Sequence, residues 1–333
     1  MEPSILMKQL IEDFPANLLE ALSIAEKQSF NRPEVEIKNI VICGMGGSGI
    51  GGKIVSQWLE KDLTVPVNFC QDYHLPSYVN ENSLVIASSY SGNTEETLMS
   101  LDTAIQKNAH IIAVTSGGSL EALCKEKGFD YVLVPGGNPP RTTLAFSLVQ
   151  LVNIFHRLEM CPAERLTEIK KGHDLIVAEA ENIKKTAMEV AEKLKDKIPV
   201  IYASGSYEAL AIRVRQQFNE NDKKLSWAGA LPEMNHNELV GWGGGDNRFG
   251  VVFLNTKDLI ERNQKRLEIT LNSIGMKTDT VINLEAKGNS KIEKTLYLNS
   301  VLDWASLYIA NLNNVDCIEV EIIDYLKDSL AKI

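Results

Sequence analysis

Short β-rich runs alternate with segments of helical period along this chain, and a glycine-rich turn stands directly behind the first of those runs. Strict alternation of strand and helix predicts a parallel sheet covered by helices. From Ile37 onward, strands are expected at 38–43, 65–70, 83–88, 110–115 and 130–134. Helices are expected at 48–61, 92–108, 118–126 and about 142–158, with an N-terminal helix over roughly 4–29. The charged stretch 164–197 has helical periodicity and almost no strand formers, so it reads as one or two exposed helices joining two halves. A second series follows, with strands at 198–204, 224–228, 248–254 and 279–284 and helices at 206–219, 258–274, 291–312 and 318–330. The fold class is α/β with two parallel-sheet domains, 1–160 and 161–333, a division that also suits the length of 333 residues. ICGMGGSGIGGKIV and YASGSYEALAIRV both run strand, turn, helix, a weak echo between the halves.

The formal net charge of −10 argues against a nucleic-acid binder, which needs a basic face to neutralise phosphates. An anionic small substrate has to be held locally instead, by backbone N–H groups, hydroxyls and one or two basic side chains. No apolar stretch approaches the ~20 residues of a membrane span. With acids at Glu2, Glu12 and Asp13, the N-terminus lacks a signal-peptide pattern, so a cytoplasmic protein is expected, with no membrane partner. The five cysteines are scattered and never form a CxxC pair, which predicts reduced core residues.

The glycine-rich turn, Gly44 to Lys53, brings backbone N–H groups close to an anion at a helix N-terminus. Gly44, Gly46 and Gly49 satisfy the dinucleotide fingerprint, with Asp72 as a candidate ribose partner, but alone the fingerprint is weak. Gly47 to Lys53 nearly spells a P-loop, yet Ile54 stands where that motif needs Ser or Thr for magnesium. A second loop, Ser88 to Thr97, follows the third strand. Hydroxyls at Ser89, Ser91 and Thr94, with Ser48 and the turn at Gly47, suit one tetrahedral phosphate monoester better than a diphosphate bridge. The competing reading is that these hydroxyls only cap the next helix.

Four residues stand out for proton transfer. Arg141 closes the rigid loop PGGNPPR behind the fifth strand, at the sheet's carboxyl end, where open α/β folds bind ligands. Glu220 sits between Asn219 and Asn221, amides able to orient a carboxylate. His236 lies in the polar run EMNHNE, and imidazole exchanges protons near neutral pH. Lys327, in IDYLK, taken alone reads as an ordinary helix lysine.

Together GMGGSGIGG, SYSGNTEET, PGGNPPR, NENDK, MNHNE and IDYLK resemble the bifunctional phosphoglucose/phosphomannose isomerases, of the sugar isomerase (SIS-domain) group within the phosphoglucose isomerase superfamily. The resemblance runs from about residue 40 to the end and implies two SIS-type, flavodoxin-like αβα domains. It implies a homodimer acting on a small-molecule sugar phosphate, with a site between domains completed by the neighbouring subunit and no metal or other cofactor. By matching motifs, Gly47, Ser48, Ser89, Ser91 and Thr94 would hold the 6-phosphate, and Glu220 would move a proton between C1 and C2. Arg141 would stabilise a cis-enediolate, while His236, contributed in trans, and Lys327 would open the sugar ring. Seven residues before the motif lysine, where family enzymes accepting both epimers resemble one another in having Thr and conventional phosphoglucose isomerases have Gln, this chain has Val320, with Ile318 nearby, which counts against mannose 6-phosphate as a second aldose and against full activity. Alternatives that stay open are isomerisation of another sugar phosphate, such as arabinose 5-phosphate or sedoheptulose 7-phosphate, a non-catalytic sugar-phosphate sensor, and an NAD-dependent dehydrogenase.

Overall fold

A computed structural model describes residues 2–330 and 332. Helix α1 spans Pro3–Glu12 and α2 spans Phe14–Glu26, so the single N-terminal helix expected from the sequence is two, parted at Asp13 with Pro15 in the first turn of the second. Proline has no N–H to donate to the preceding turn and is tolerated where a helix begins. There follow β1 (Asn39–Cys43), α3 (Gly46–Trp58), β2 (Val67–Cys70), β3 (Ser83–Ser89), α4 (Glu95–Gln106), β4 (His110–Thr115), α5 (Gly118–Lys127) and β5 (Asp130–Leu133). Next come α6 (Leu144–Arg157), α7 (Glu164–Ala178), α8 (Ala180–Leu194), β6 (Ile198–Ser204), α9 (Glu208–Asn221), β7 (Trp227–Leu231) and a short α10 (Glu238–Gly241). The chain ends with β8 (Phe249–Asn255), α11 (Glu261–Gly275), β9 (Val281–Glu285), α12 (Lys291–Leu312) and α13 (Glu321–Leu330).

These elements form two compact units. One comprises residues 13–178 and 288–296 and contains a five-stranded parallel sheet in the order β2-β1-β3-β4-β5. All seven residues of β3 are buried, as a strand covered on both faces requires. Val41, Val85, Ala87, Leu101, Ala104 and Leu120 make one core between strands and helices. At ~1.5–3 kcal/mol for each large aliphatic side chain removed from water, such clusters dominate what holds a sheet to its helices.

The other unit comprises residues up to Glu12, 179–287 and 297 onward, around a four-stranded parallel sheet in the order β7-β6-β8-β9. Its core joins Val200, Tyr202, Val251 and Phe253 of the sheet to Leu267 and Ile274 of α11. Both sheets are wound alike, their first strand lying second from the edge, and the two sequence echoes occupy equivalent places, at β1–α3 and β6–α9. Two parallel-sheet α/β units are what the alternating pattern predicts.

One strand is displaced from its expected place. β7 begins at Trp227, not at residue 224, because the preceding polar side chains fold back on their own unit. Lys224 Nζ donates to the carbonyls of Leu194, at 3.0 Å, and of Lys195, while Ser226 Oγ donates to Arg215 O at 3.2 Å. All five cysteines are buried and unbridged. Among the described residues, no helix is long and apolar enough to cross a membrane, and no group of three or more His, Cys, Asp and Glu side chains is placed to hold a metal ion.

Candidate active site

In the five-stranded unit the strand order reverses direction between β1 and β3, which are hydrogen-bonded neighbours. Ligands of open α/β sheets bind at the carboxyl ends of strands at such a switch point. Three turns meet there. Ser48 Oγ, in the turn behind β1, accepts from the N–H of Tyr90, in the turn behind β3, at 3.1 Å. Ser88 Oγ donates to Ser48 O at 3.4 Å. A Cβ on Gly47 would lie 2.9 Å from Pro140 O, so the first turn also touches the loop behind β5.

Tyr90 ties that third loop in: its OH donates to Pro135 O at 2.9 Å and accepts from the N–H of Asn138 at 3.3 Å. The Tyr90 carbonyl accepts from Ser116 Oγ at 2.6 Å. The sequence reading passed over Tyr90, although an aromatic ring flanked by Ser89 and Ser91 in a turn otherwise made of small polar residues is a signal that could have found it. Burial raises its phenol above the ordinary range.

The hydroxyls singled out from the sequence do not cap a helix here. Thr94 occupies the N-cap position of α4 without a side-chain capping bond, and its Oγ1 lies 2.9 Å from Ser89 Oγ. Ser91 Oγ accepts from Asn93 N at 3.3 Å. α3, opening at Gly46, likewise has no side-chain cap. Two helix starts therefore leave first-turn N–H groups, at the positive end of the dipole, beside a set of serine and threonine hydroxyls. Arg141, in the 3-10 turn Pro140–Thr142, is only 5% exposed. A guanidinium is rarely buried so deeply without a polar role.

The remaining candidates belong to the other unit. Glu220 is half-buried in the last turn of α9. Its neighbours spend their amides elsewhere than the sequence reading expected: Asn221 Nδ2 donates to Ser306 Oγ at 2.9 Å, and Asn219 Oδ1 accepts from Ser226 Oγ at 3.0 Å. Above that turn, Gln217 Nε2 donates to the buried Asp303 Oδ1 at 2.8 Å, and Arg213 Nη2 lies 3.4 Å from the same oxygen, so α9 is pinned to α12 along one stripe.

His236 is exposed at the end of the 3-10 turn Glu233–His236, behind β7. Asn235 Nδ2 donates to Thr270 Oγ1 at 2.8 Å, while Asn237 Oδ1 accepts from Glu238 N at 2.5 Å, so these amides hold the turn. Glu238 Oε1 in turn accepts from Tyr202 OH at 2.6 Å, and Trp242 Nε1 donates to the same hydroxyl at 2.9 Å. Burial pushes the Tyr202 phenol far above its ordinary range, which keeps it a donor to Glu238. Lys327 is exposed on α13, a helix with no buried residue.

Asp222, two residues past Glu220, is 2% exposed, and burial pushes its carboxyl up to about 8 against the opposing pull of Lys224. The folded chain thus holds a proton that the unfolded chain releases near pH 4, so this group's contribution to stability declines as pH rises from about 4 to about 8. Asp222→Asn should remove that slope. Its advantage over the parent should be nil near pH 4, grow to at most a few kcal/mol by pH 8, and stay level above. Thermal midpoints from pH 4 to 9 check this; a variant whose midpoint tracks the parent's throughout would contradict it.

An open parallel sheet that gathers serine- and glycine-rich turns at a switch point is the architecture of the SIS, or sugar isomerase, domain. The SIS domain family matches residues 35–132, and the bacterial phospho-glucose isomerase C-terminal SIS domain family matches residues 183–330. This chain is 34% identical over 340 residues to the bifunctional phosphoglucose/phosphomannose isomerase of Caldicellulosiruptor bescii, covering 98% of this chain and 99% of that one. It is 36% identical over 293 residues to the enzyme of the same name from Thermoplasma acidophilum, covering 88% and 90%. Among solved structures, the C-terminal domain of glucosamine-fructose-6-phosphate aminotransferase from Francisella tularensis superposes with a TM-score of 0.75 at 19% identity, over 94% of this chain and 98% of that one. The chain belongs to the bifunctional phosphoglucose/phosphomannose isomerase family.

Proposed function

We propose that this protein interconverts glucose 6-phosphate and fructose 6-phosphate in the cytoplasm. The observation that carries the reading is the meeting of three turns at the β1–β3 switch point, where the hydroxyls of Ser48, Ser89 and Thr94 stand beside two helix starts without side-chain caps. Such a set suits a phosphate dianion: many short donors, positive helix ends and no need for a broad basic surface. In this reading the N-terminal domain grips the 6-phosphate through Gly47, Ser48, Ser89, Ser91 and Thr94, and the C-terminal domain supplies the acid–base groups.

His236 and Lys327 open the ring. Glu220 takes the C2 proton of the open aldose, the electrons pass to the C1 carbonyl, and a cis-enediolate forms. Arg141 stabilises the developing oxyanion, as a preorganised cation in a dry pocket can. Glu220 returns the proton to C1 while the hydroxyl proton moves from O2 to O1, giving the ketose. One carboxylate serves both transfers, and no electrons leave the substrate.

The chain acts as a homodimer in this reading, with His236 reaching the partner's substrate. The exposure of Ile322 (84%), Tyr325 (75%) and Leu326 (57%) along α13 supports a covered interface, since a contiguous apolar stripe is rarely left in water. Incubation with fructose 6-phosphate alone should yield glucose 6-phosphate, and more slowly mannose 6-phosphate, each read by a specific coupled assay. Formation of neither aldose would overturn the proposal.

A further inference from the structure

The turn that ends α9 contains a residue of the wrong type for its backbone. Lys223 has φ +56, in the left-handed region where glycine is the unstrained choice and any other residue costs ~1 kcal/mol. Its side chain accounts for its place. Lys223 Nζ donates to Glu220 O at 2.6 Å and to Glu319 O at 2.7 Å, and lies 3.8 Å from a carboxylate oxygen of Glu319. The first bond is ordinary for a lysine at a helix end, where the last carbonyls lack partners. The second is not, because it reaches a backbone carbonyl 96 residues further along the chain.

Glu319 stands two residues before α13, the helix that carries Lys327. No residue of α13 is buried, so packing within this chain does little to set where the helix points. Within this chain, what anchors it is the segment before it. Asp316 Oδ1 accepts from the N–H groups of Ile318, at 2.7 Å, and Glu319, at 3.1 Å, and Val320 O accepts from Ile323 N at 2.8 Å. The Lys223 ammonium joins that segment to the carbonyl of residue 220. Strain retained at one position, in return for a bridge between two chain segments, is the pattern expected at a functional site.

We propose that Lys223 is a positioning residue for the isomerase reaction: its ammonium clamps the backbone at Glu220 to the backbone at Glu319, holding the base and the helix of Lys327 in one register. The proposal rests on the function assigned above. A positioning role and a merely structural cap differ in a measurable way, because glycine relieves the strained φ while deleting the clamp.

Lys223→Gly and Lys223→Met should be compared with the parent and with Glu220→Gln, measuring kcat and KM for fructose 6-phosphate and the thermal midpoint. Lys223→Gly should keep a midpoint no lower than the parent's and a KM within about twofold, while kcat falls ~10-fold, the scale expected when a catalytic group is held loosely. Lys223→Met should show the same loss of kcat. Parent-like turnover in both Lys223 variants, with Glu220→Gln inactive, would overturn the clamp and leave the assigned function standing. A lowered midpoint in Lys223→Gly that accounts for its lost activity would reduce Lys223 to a cap. Full turnover in Glu220→Gln would remove the functional reading itself, and the clamp with it.

Discussion

Glu220→Gln should bind sugar phosphate as tightly as the parent, within about twofold, and turn it over ~10³-fold more slowly, the usual worth of a general base. The amide has the shape of the carboxylate but no basic oxygen, so it occupies the same space without accepting a carbon-bound proton. The local fold should survive. The bond from Lys223 goes to the backbone carbonyl of residue 220, and the stripe of Arg213, Gln217 and Asn221 that pins α9 to α12 does not use the Glu220 side chain in its contacts to Asp303 and Ser306. A loss confined to kcat is the signature of an interaction made chiefly in the transition state, whereas a risen KM would mean that Glu220 binds substrate. The direct check is exchange of the C1 and C2 protons with deuterated water in the presence of fructose 6-phosphate. The parent should exchange during turnover and the variant should not; exchange at the parental rate would take the proton transfer away from Glu220.

The elements that position this site were legible for a simple reason. Buried parallel strands are continuous apolar runs, and Asn39–Cys43, Ser83–Ser89 and His110–Thr115 fall where such runs lie. The two turns that meet at the switch point were legible too, because glycine and hydroxyl residues cluster behind two of those strands. What escaped depends on contacts distant in sequence. The setting of Tyr90 marks the residue but not its partners, Pro135 and Asn138, which lie 45 and 48 residues on. Lys223 and Lys224 each fold an ammonium onto carbonyls far along the chain, contacts that their sequence neighbours do not announce. Asn219 and Asn221 flank Glu220 and were read as its orienting groups, but in a helix adjacent residues point about 100° apart, so their amides meet Ser226 and Ser306. The division of residues 3–26 into two helices, with α1 and α2 belonging to different units, has only Pro15 as a sequence signal, and proline marks a boundary without saying where each side will pack.

The second large effect concerns the loop that carries Ser89, Ser91 and Thr94. Gly92 has φ +69, and a Cβ there would stand 1.8 Å from Gly117 O and 2.8 Å from Thr115 Oγ1. The loop is built directly on the turn behind β4: Gly92 O accepts from Leu120 N at 2.9 Å, and Asn93 Oδ1 accepts from Ser119 N at 2.9 Å. A methyl group at residue 92 meets backbone, which cannot rotate away, so the two turns must separate and those bonds must lengthen. Gly92→Ala should therefore cost on the order of 3 kcal/mol or more, adding backbone strain to overpacking. Its KM for fructose 6-phosphate should rise as well, because the hydroxyls proposed to grip the phosphate ride on the displaced segment. Gly128→Ala separates the two causes. Gly128 has a matching φ of +71 with nothing within 4 Å of the added Cβ, so it should lose only the ~1 kcal/mol of the conformational preference and keep the parental KM. Denaturant midpoints and KM values for both variants test the argument. If Gly92→Ala proves no worse than Gly128→Ala in either measure, the close packing of residue 92 against residue 117 is not what shapes the loop of Ser89, Ser91 and Thr94.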